Sequence, residues 1–157
     1  MPIVFARVDD RLIHGQIVQA WLPQLDVDEV VIPCTRQNRK NLNEGLLRLS
    51  LPYEYDLSLL ESAKIPAYVA RSKRRILLLM ESLQDFADLL TDGLKIDTVN
   101  IGGMHFKEGA QKLAENVFLD KEDKRLVKLI HDLGIGIETR AVPNAVSICV
   151  TEVLHDH

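Results

Sequence analysis

Between residues 7 and 16 the chain brings together Arg7, Asp9, Asp10, Arg11 and His14, directly after the apolar run that opens it. An imidazole with an unperturbed pKa of about 6.5 keeps a neutral fraction that can attack phosphorus near neutral pH. A phosphoryl group in transfer needs its charge balanced, and a planar guanidinium offers donors to its equatorial oxygens. Arg11 is the first candidate for that clamp and Arg7 the second. Asp9 or Asp10 would orient the imidazole or the Arg11 head. Gly15 would let the backbone approach an anion closely, with N–H groups from the start of a helix beside it. The spacing also has a plainer reading. Leu12, Ile13, Ile17, Val18, Trp21 and Leu22 fall at helical intervals, so His14 would equally suit a packed, hydrogen-bonded residue at the edge of a core.

Such a cluster needs a scaffold, and the rest of the chain describes one. Short apolar runs alternate with amphipathic stretches, the rhythm of β-α units stacked into an open, mostly parallel β-sheet with helices on both faces. Strands are expected at 3–8, 29–33, 75–80, 97–101 and 136–142, with weaker ones at 54–56 and 116–119. Helices are expected from 14 or 15 to 21 and at 37–49, 57–63, 83–91, 121–133 and 144–154. Ser82 precedes one helical pattern, and Gly93 and Gly134 follow two others. Leu126, Leu129, Ile130 and Leu133 form an apolar stripe that should lie against the sheet. In this fold class ligand chemistry gathers in loops at the carboxyl ends of the strands. Two such places stand out. Gly102 and Gly103 allow a tight turn or close backbone approach to an anion. Thr35 would hydrogen-bond a phosphoryl oxygen there and Arg36 would attract it, or both face solvent or a partner.

Bulk properties set the outer limits. The 157 residues fit one domain, 1–157, with 46% hydrophobic, 27% charged and 5% aromatic content typical of an aliphatic globular core. A net charge of -4 disfavours non-specific nucleic-acid binding. The N-terminus lacks the apolar core of a secretory signal, and no apolar run reaches the roughly 20 residues of a membrane span, so a cytoplasmic protein is expected. Cys34 and Cys149 show neither disulfide nor zinc spacing. His105 would lie near the same carboxyl edge, His131 has no second ligand at metal spacing, and the HxH of His155 and His157 reads as a frayed tail or an adventitious metal binder, so no metal site and no cofactor is expected. The basic run over 71–75 reads as a solvated face, or as a dock for an acidic partner.

Residues 6–16, Ala-Arg-Val-Asp-Asp-Arg-Leu-Ile-His-Gly-Gln, closely resemble the active-site signature of enzyme IIB subunits of the mannose/fructose/sorbose class of the bacterial phosphotransferase system. Residues 98–104, Thr-Val-Asn-Ile-Gly-Gly-Met, are similar to that family's second hallmark, and the likeness spans essentially the whole chain. The resemblance implies a protein-N(π)-phosphohistidine–sugar phosphotransferase. His14 would take phosphate from a IIA partner and pass it to a sugar entering through membrane IIC and IID subunits. It further implies that Arg7, Arg11 and Asp10 share the catalytic site, and that Gly102 and Gly103 form its floor beside Gly15, Thr35 and Arg36. A homo-oligomer is compatible with it. The loop over 35–40 departs from the pattern: Ser and acidic residues are common there, whereas this chain has Arg36, Arg39 and Lys40. That departure motivates an alternative, a regulatory phosphohistidine protein of the same fold not coupled to transport. A nucleotide-binding module is disfavoured because no Gly-rich fingerprint follows the first strand.

Overall fold

The computed structural model describes residues 2–150. In chain order its strands are β1 (Ile3–Asp9), β2 (Glu29–Cys34), β3 (Asp56–Glu61), β4 (Ile76–Met80), β5 (Thr98–Gly103), β6 (Gln111–Ala114), β7 (Val117–Leu119), β8 (Gly136–Thr139) and β9 (Ile148–Cys149). The α-helices are α1 (Glu44–Ser50), α2 (Ile65–Arg71), α3 (Leu83–Thr91) and α4 (Lys121–Asp132), and a π-helical segment spans Ile17–Trp21. Strand β4, apolar at every position and wholly buried, is what the middle of a parallel sheet requires. Around it the order is β3-β2-β4-β1-β5-β8-β9, parallel except for β9 against β8, while β6 and β7 pair as a separate hairpin.

Alternation along the strands supplies a core on each face. Val8, Val31, Leu78, Met80, Val99 and Ile101 pack with Ile65, Phe86, Leu126 and Ile130 from α2, α3 and α4. Val30, Ile32, Leu77 and Leu79 pack on the opposite side with Ile13, Ile17, Trp21 and Leu22. The segment after β1 thus lies on one face and the helix after β4 on the other, although the two strands are neighbours. That divergence opens a crevice at their carboxyl ends, where open α/β sheets place their ligands.

Several elements differ from the sequence expectation. Residues 57–61, expected as helix, extend β3, because Glu29 to Cys34 of β2 offer them a complete parallel register. The helix begins later, at Ile65, with Pro66 in its first turn, where its missing N–H costs nothing. The helix expected over 37–49 is confined to α1, capped by Asn43, whose side chain accepts from Leu46 N at 3.0 Å. On α4 the buried positions are Asp123, Leu126, Val127 and Ile130, while Leu129 and Leu133 of the expected stripe are exposed. Strand β8 is shorter than expected, β6 was not anticipated, and the residues 148–149 of the expected last helix are strand β9. Residues 151–154 of that helix lie outside the described residues.

Candidate active site

Strand β1 sends Phe5, Arg7 and Asp9 toward the face that carries Trp21. At its carboxyl end the chain turns sharply: Leu12 N donates to Asp9 O at 3.0 Å, and Leu12 takes a left-handed φ of 56°. This turn folds Arg11 and His14 back over Asp9. Asp9, with no exposed side-chain surface, becomes the hub. Its Oδ2 accepts from Arg7 Nη2 at 3.0 Å, Arg11 Nη2 at 2.9 Å and His14 Nε2 at 2.9 Å. Its Oδ1 accepts from Arg11 Nε at 2.9 Å and Arg11 N at 3.1 Å. Burial alone would raise this carboxyl, but the hydrogen bonds from His14 and Arg11 and the charge of Arg7 outweigh it. They hold Asp9 well below the usual carboxylate range.

An ionised carboxylate only accepts, so His14 Nε2 carries the proton. Gln16 N donates to His14 Nδ1 at 3.3 Å, which selects the same tautomer from the other side of the ring. Nδ1 is therefore the unprotonated nitrogen, its lone pair met only by the long bond from Gln16 N, on a side chain 17% exposed. A Cβ on Gly15 would meet nothing within 4 Å outside its chain neighbours, so packing does not demand a glycine here.

The two arginines, both expected as clamps, divide the work. Arg11 is 36% exposed, and its Nη1 makes no hydrogen bond among the described residues, so it can reach an incoming anion. Arg7 cannot. Its side chain is wholly buried, with Nη1 donating to Asn100 Oδ1 at 2.8 Å and Arg140 O at 2.9 Å, and Nη2 to Ala141 O at 3.2 Å. Burial lowers its pKa and Asp9 pulls it back up. Its Cζ lies 5.2 Å from the Trp21 ring centroid, and Trp21 Nε1 in turn donates to Ala141 O at 2.8 Å. Arg7 thus lies behind Asp9, with no exposed surface of its own.

The glycine pair, expected after the strand as a tight turn or a close backbone approach, instead forms the last two residues of strand β5. A Cβ at Gly102 would collide with the Arg7 guanidinium, and one at Gly103 would stand 2.5 Å from Asp9 Oδ1. These glycines make room for the buried ion pair. Gly102 O also accepts from Arg11 Nη2 at 3.3 Å.

The remaining expected site residues are placed apart. Asp10 turns to His105, accepting from its backbone N at 2.7 Å and pairing with Nδ1 at 2.5 Å; Asp9, not Asp10, is the carboxylate on His14. Thr35 and Asn38 hold each other, Thr35 N donating to Asn38 Oδ1 at 2.7 Å and Asn38 N to Thr35 Oγ1 at 3.1 Å. Asp10, Thr35, Glu81, Asp85 and His105 line a cavity of 240 Å³ in the β1–β4 crevice. Burial raises Glu81 there and pushes Asp85 up to about 6. Arg36 lies in a separate recess with Glu61 and Asp92. Sequence reasoning did not identify Asn100, Glu138, Arg140 or Trp21 as parts of the network. Among the described residues no group of His, Cys, Asp and Glu is arranged to hold a metal, and no helix is long and apolar enough to cross a membrane.

The chain matches the family described as "PTS system sorbose subfamily IIB component" over residues 3–157. It is 30% identical over 145 residues to the sorbose-specific EIIB component of Lacticaseibacillus casei, covering 90% of this chain and 88% of that protein. To the fructose-specific EIIB component of Bacillus subtilis it is 28% identical over 160 residues, covering 99% and 98%. The crystal structure of the IIBSor domain of the sorbose permease from Klebsiella pneumoniae superposes with a TM-score of 0.88 at 26% identity, covering 99% and 98%. A fold shared from end to end, together with a family match that includes the His14 turn, places this chain among the sorbose-type IIB components, the phosphoryl-transfer subunits of sugar phosphotransferase systems.

Proposed function

We propose that His14 accepts a phosphoryl group on Nδ1 from a phosphorylated IIA protein and passes it to a sugar at membrane IIC and IID subunits, as a protein-N(π)-phosphohistidine–sugar phosphotransferase. The observation that carries this reading is the pair of contacts fixing the ring: Asp9 holds Nε2–H at 2.9 Å, and Gln16 N faces Nδ1. As Nδ1 bonds to phosphorus and the donor's P–N bond breaks, positive charge builds on the imidazole. Asp9 stabilises it through Nε2–H, in the manner of a carboxylate behind a catalytic histidine. The free N–H groups of Arg11 Nη1 take the equatorial oxygens, and Arg11 stays anchored on Asp9 through Nε and Nη2. In the second half-reaction a sugar hydroxyl attacks phosphorus and gives its proton to a base on the membrane subunits or to water, while the P–N bond breaks and the imidazole leaves as the neutral Nε2–H tautomer.

Incubation with a phosphorylated IIA protein should add one acid-labile phosphoryl group to wild type and none to His14→Ala. Label on another residue would overturn the assignment. Membranes carrying matching IIC and IID subunits should then discharge the group to sugar. A protein that loads but never discharges would point to a regulatory phosphoprotein instead.

A further inference from the structure

Asn100 and Glu138 touch neither His14 nor Arg11, yet both are tied into the network behind them. Asn100 is 1% exposed. Its Oδ1 accepts from Arg7 Nη1 at 2.8 Å, and its Nδ2 donates to Glu138 Oε1 at 2.7 Å and to Arg140 O at 3.3 Å. A carboxamide is directional, with one accepting end and one donating end. Arg7 requires the accepting end and the Glu138 carboxylate requires the donating end, so the two partners agree on one orientation. Glu138 is itself held by Arg140 Nε at 3.0 Å and Ser147 Oγ at 3.1 Å.

We propose that Asn100 and Glu138 are positioning residues for phosphoryl uptake: Glu138 anchors the donating end of the Asn100 amide, Asn100 fixes the Arg7 guanidinium, and Arg7 fixes the Asp9 carboxylate that keeps His14 Nδ1 unprotonated. The inference rests on His14 being the acceptor. It also gives residues 98–104 a physical task. Asn100 anchors the relay, and two positions on, on the same face of β5, Gly102 clears the space that Arg7 occupies.

Two variants of the full chain test this. In Asn100→Asp a second carboxylate competes with Asp9 for Arg7 and repels Glu138. In Glu138→Gln the partner of Asn100 presents either a donor or an acceptor, so the amide keeps its direction only through Arg7 and the longer bond to Arg140 O and is held less firmly. Single-turnover phosphoryl uptake from a phosphorylated IIA protein is one readout, and the His14 tautomer in the unphosphorylated protein, from ring-nitrogen NMR shifts, is the other. Asn100→Asp should slow uptake about tenfold and populate the Nδ1–H tautomer; Glu138→Gln should act in the same direction, about threefold. Glu138 lies at the half-buried end of the relay, so its isosteric variant keeps the test open if Asn100→Asp does not fold. Uptake within about twofold of wild type and unchanged ring shifts would overturn the relay, whatever the melting temperature does. The tautomer readout needs no phosphate. It decides the relay even if His14→Ala still loads and the acceptor reading fails.

Discussion

Strands β1 and β5 each have two buried faces, built on opposite principles. Toward α2, α3 and α4 they present Ala6, Val8, Val99 and Ile101 to an aliphatic core. Toward Trp21 they present Arg7, Asp9 and Asn100, which are just as deeply buried and are joined by directional bonds. The aliphatic face gains from area removed from water and tolerates changes of shape within limits. On the polar face, desolvation offsets much of the attraction, so its yield is orientation more than stability. Alternation along one strand lets a single backbone carry both, and the fold anchors the site directly on the middle strand of the sheet.

The largest expected effect comes from breaking the hub. Asp9→Asn leaves the Arg7 cation buried without its counter-charge, at a cost of about 3–5 kcal/mol. It also puts an amide N–H among donors, so His14 loses the partner that fixes Nε2–H, and phosphoryl uptake should fall by roughly a hundredfold or more. Leu78→Ala on the aliphatic face should cost a comparable ~2–5 kcal/mol through the cavity it leaves. Uptake per folded molecule should nevertheless stay near wild type. Urea unfolding read beside single-turnover uptake separates the two. Equal losses of uptake would erase the distinction between the faces.

Acidity distinguishes them next. Asp9 is depressed in the folded state, so its contribution to stability is present above its ordinary pKa of 3.8 and is lost as pH falls through the lower folded value. Asp85, on α3 and only 5% exposed, has the opposite sign. Burial raises it to about 6, so the fold is favoured with this group protonated, and that advantage is present below 3.8 and disappears as pH rises through about 6. Asp85→Asn should therefore stabilise the protein at pH 7.5 by on the order of 2 kcal/mol and have little effect near pH 4. Urea midpoints across that window check it, and a pH-independent offset would show that packing, not charge, is responsible.

Much of this was legible in the sequence, for identifiable reasons. His14, Arg11 and Gly102 announce themselves because residue type and order are local information. The β-α rhythm likewise gives the parallel sheet. The choice between Asp9 and Asp10 was not legible, because consecutive residues at a strand end differ only in which face they meet. Glu138 and Arg140 carry no local signal in the sequence; only the register of β8 on β5, pairing Glu138 with Asn100, brings Glu138 to the network. Residues 57–61 carry Leu and Glu, good helix formers, and the edge position beside β2 overrides that preference. Pro66 was an available signal that the helix starts later.

The smallest expected effect sharpens the contrast between those consecutive carboxylates. Asp10 pairs with His105 at 2.5 Å, a closer approach than any bond to Asp9, yet the His105 side chain is 74% exposed. Solvent screens such a pair, and the free side chain loses little by letting go, so His105→Ala should change stability by less than about 1 kcal/mol. Asp10 would keep a hydrogen bond even then, because the backbone N of residue 105 also donates to it at 2.7 Å. Asp9 also has a backbone donor, Arg11 N at 3.1 Å, but it serves three side chains at once, Arg7, Arg11 and His14, and it is sealed from water. A thermal-melt shift for His105→Ala as large as that for Asp9→Asn would mean that proximity, rather than burial and the number of donors served, decides which of the two carboxylates matters.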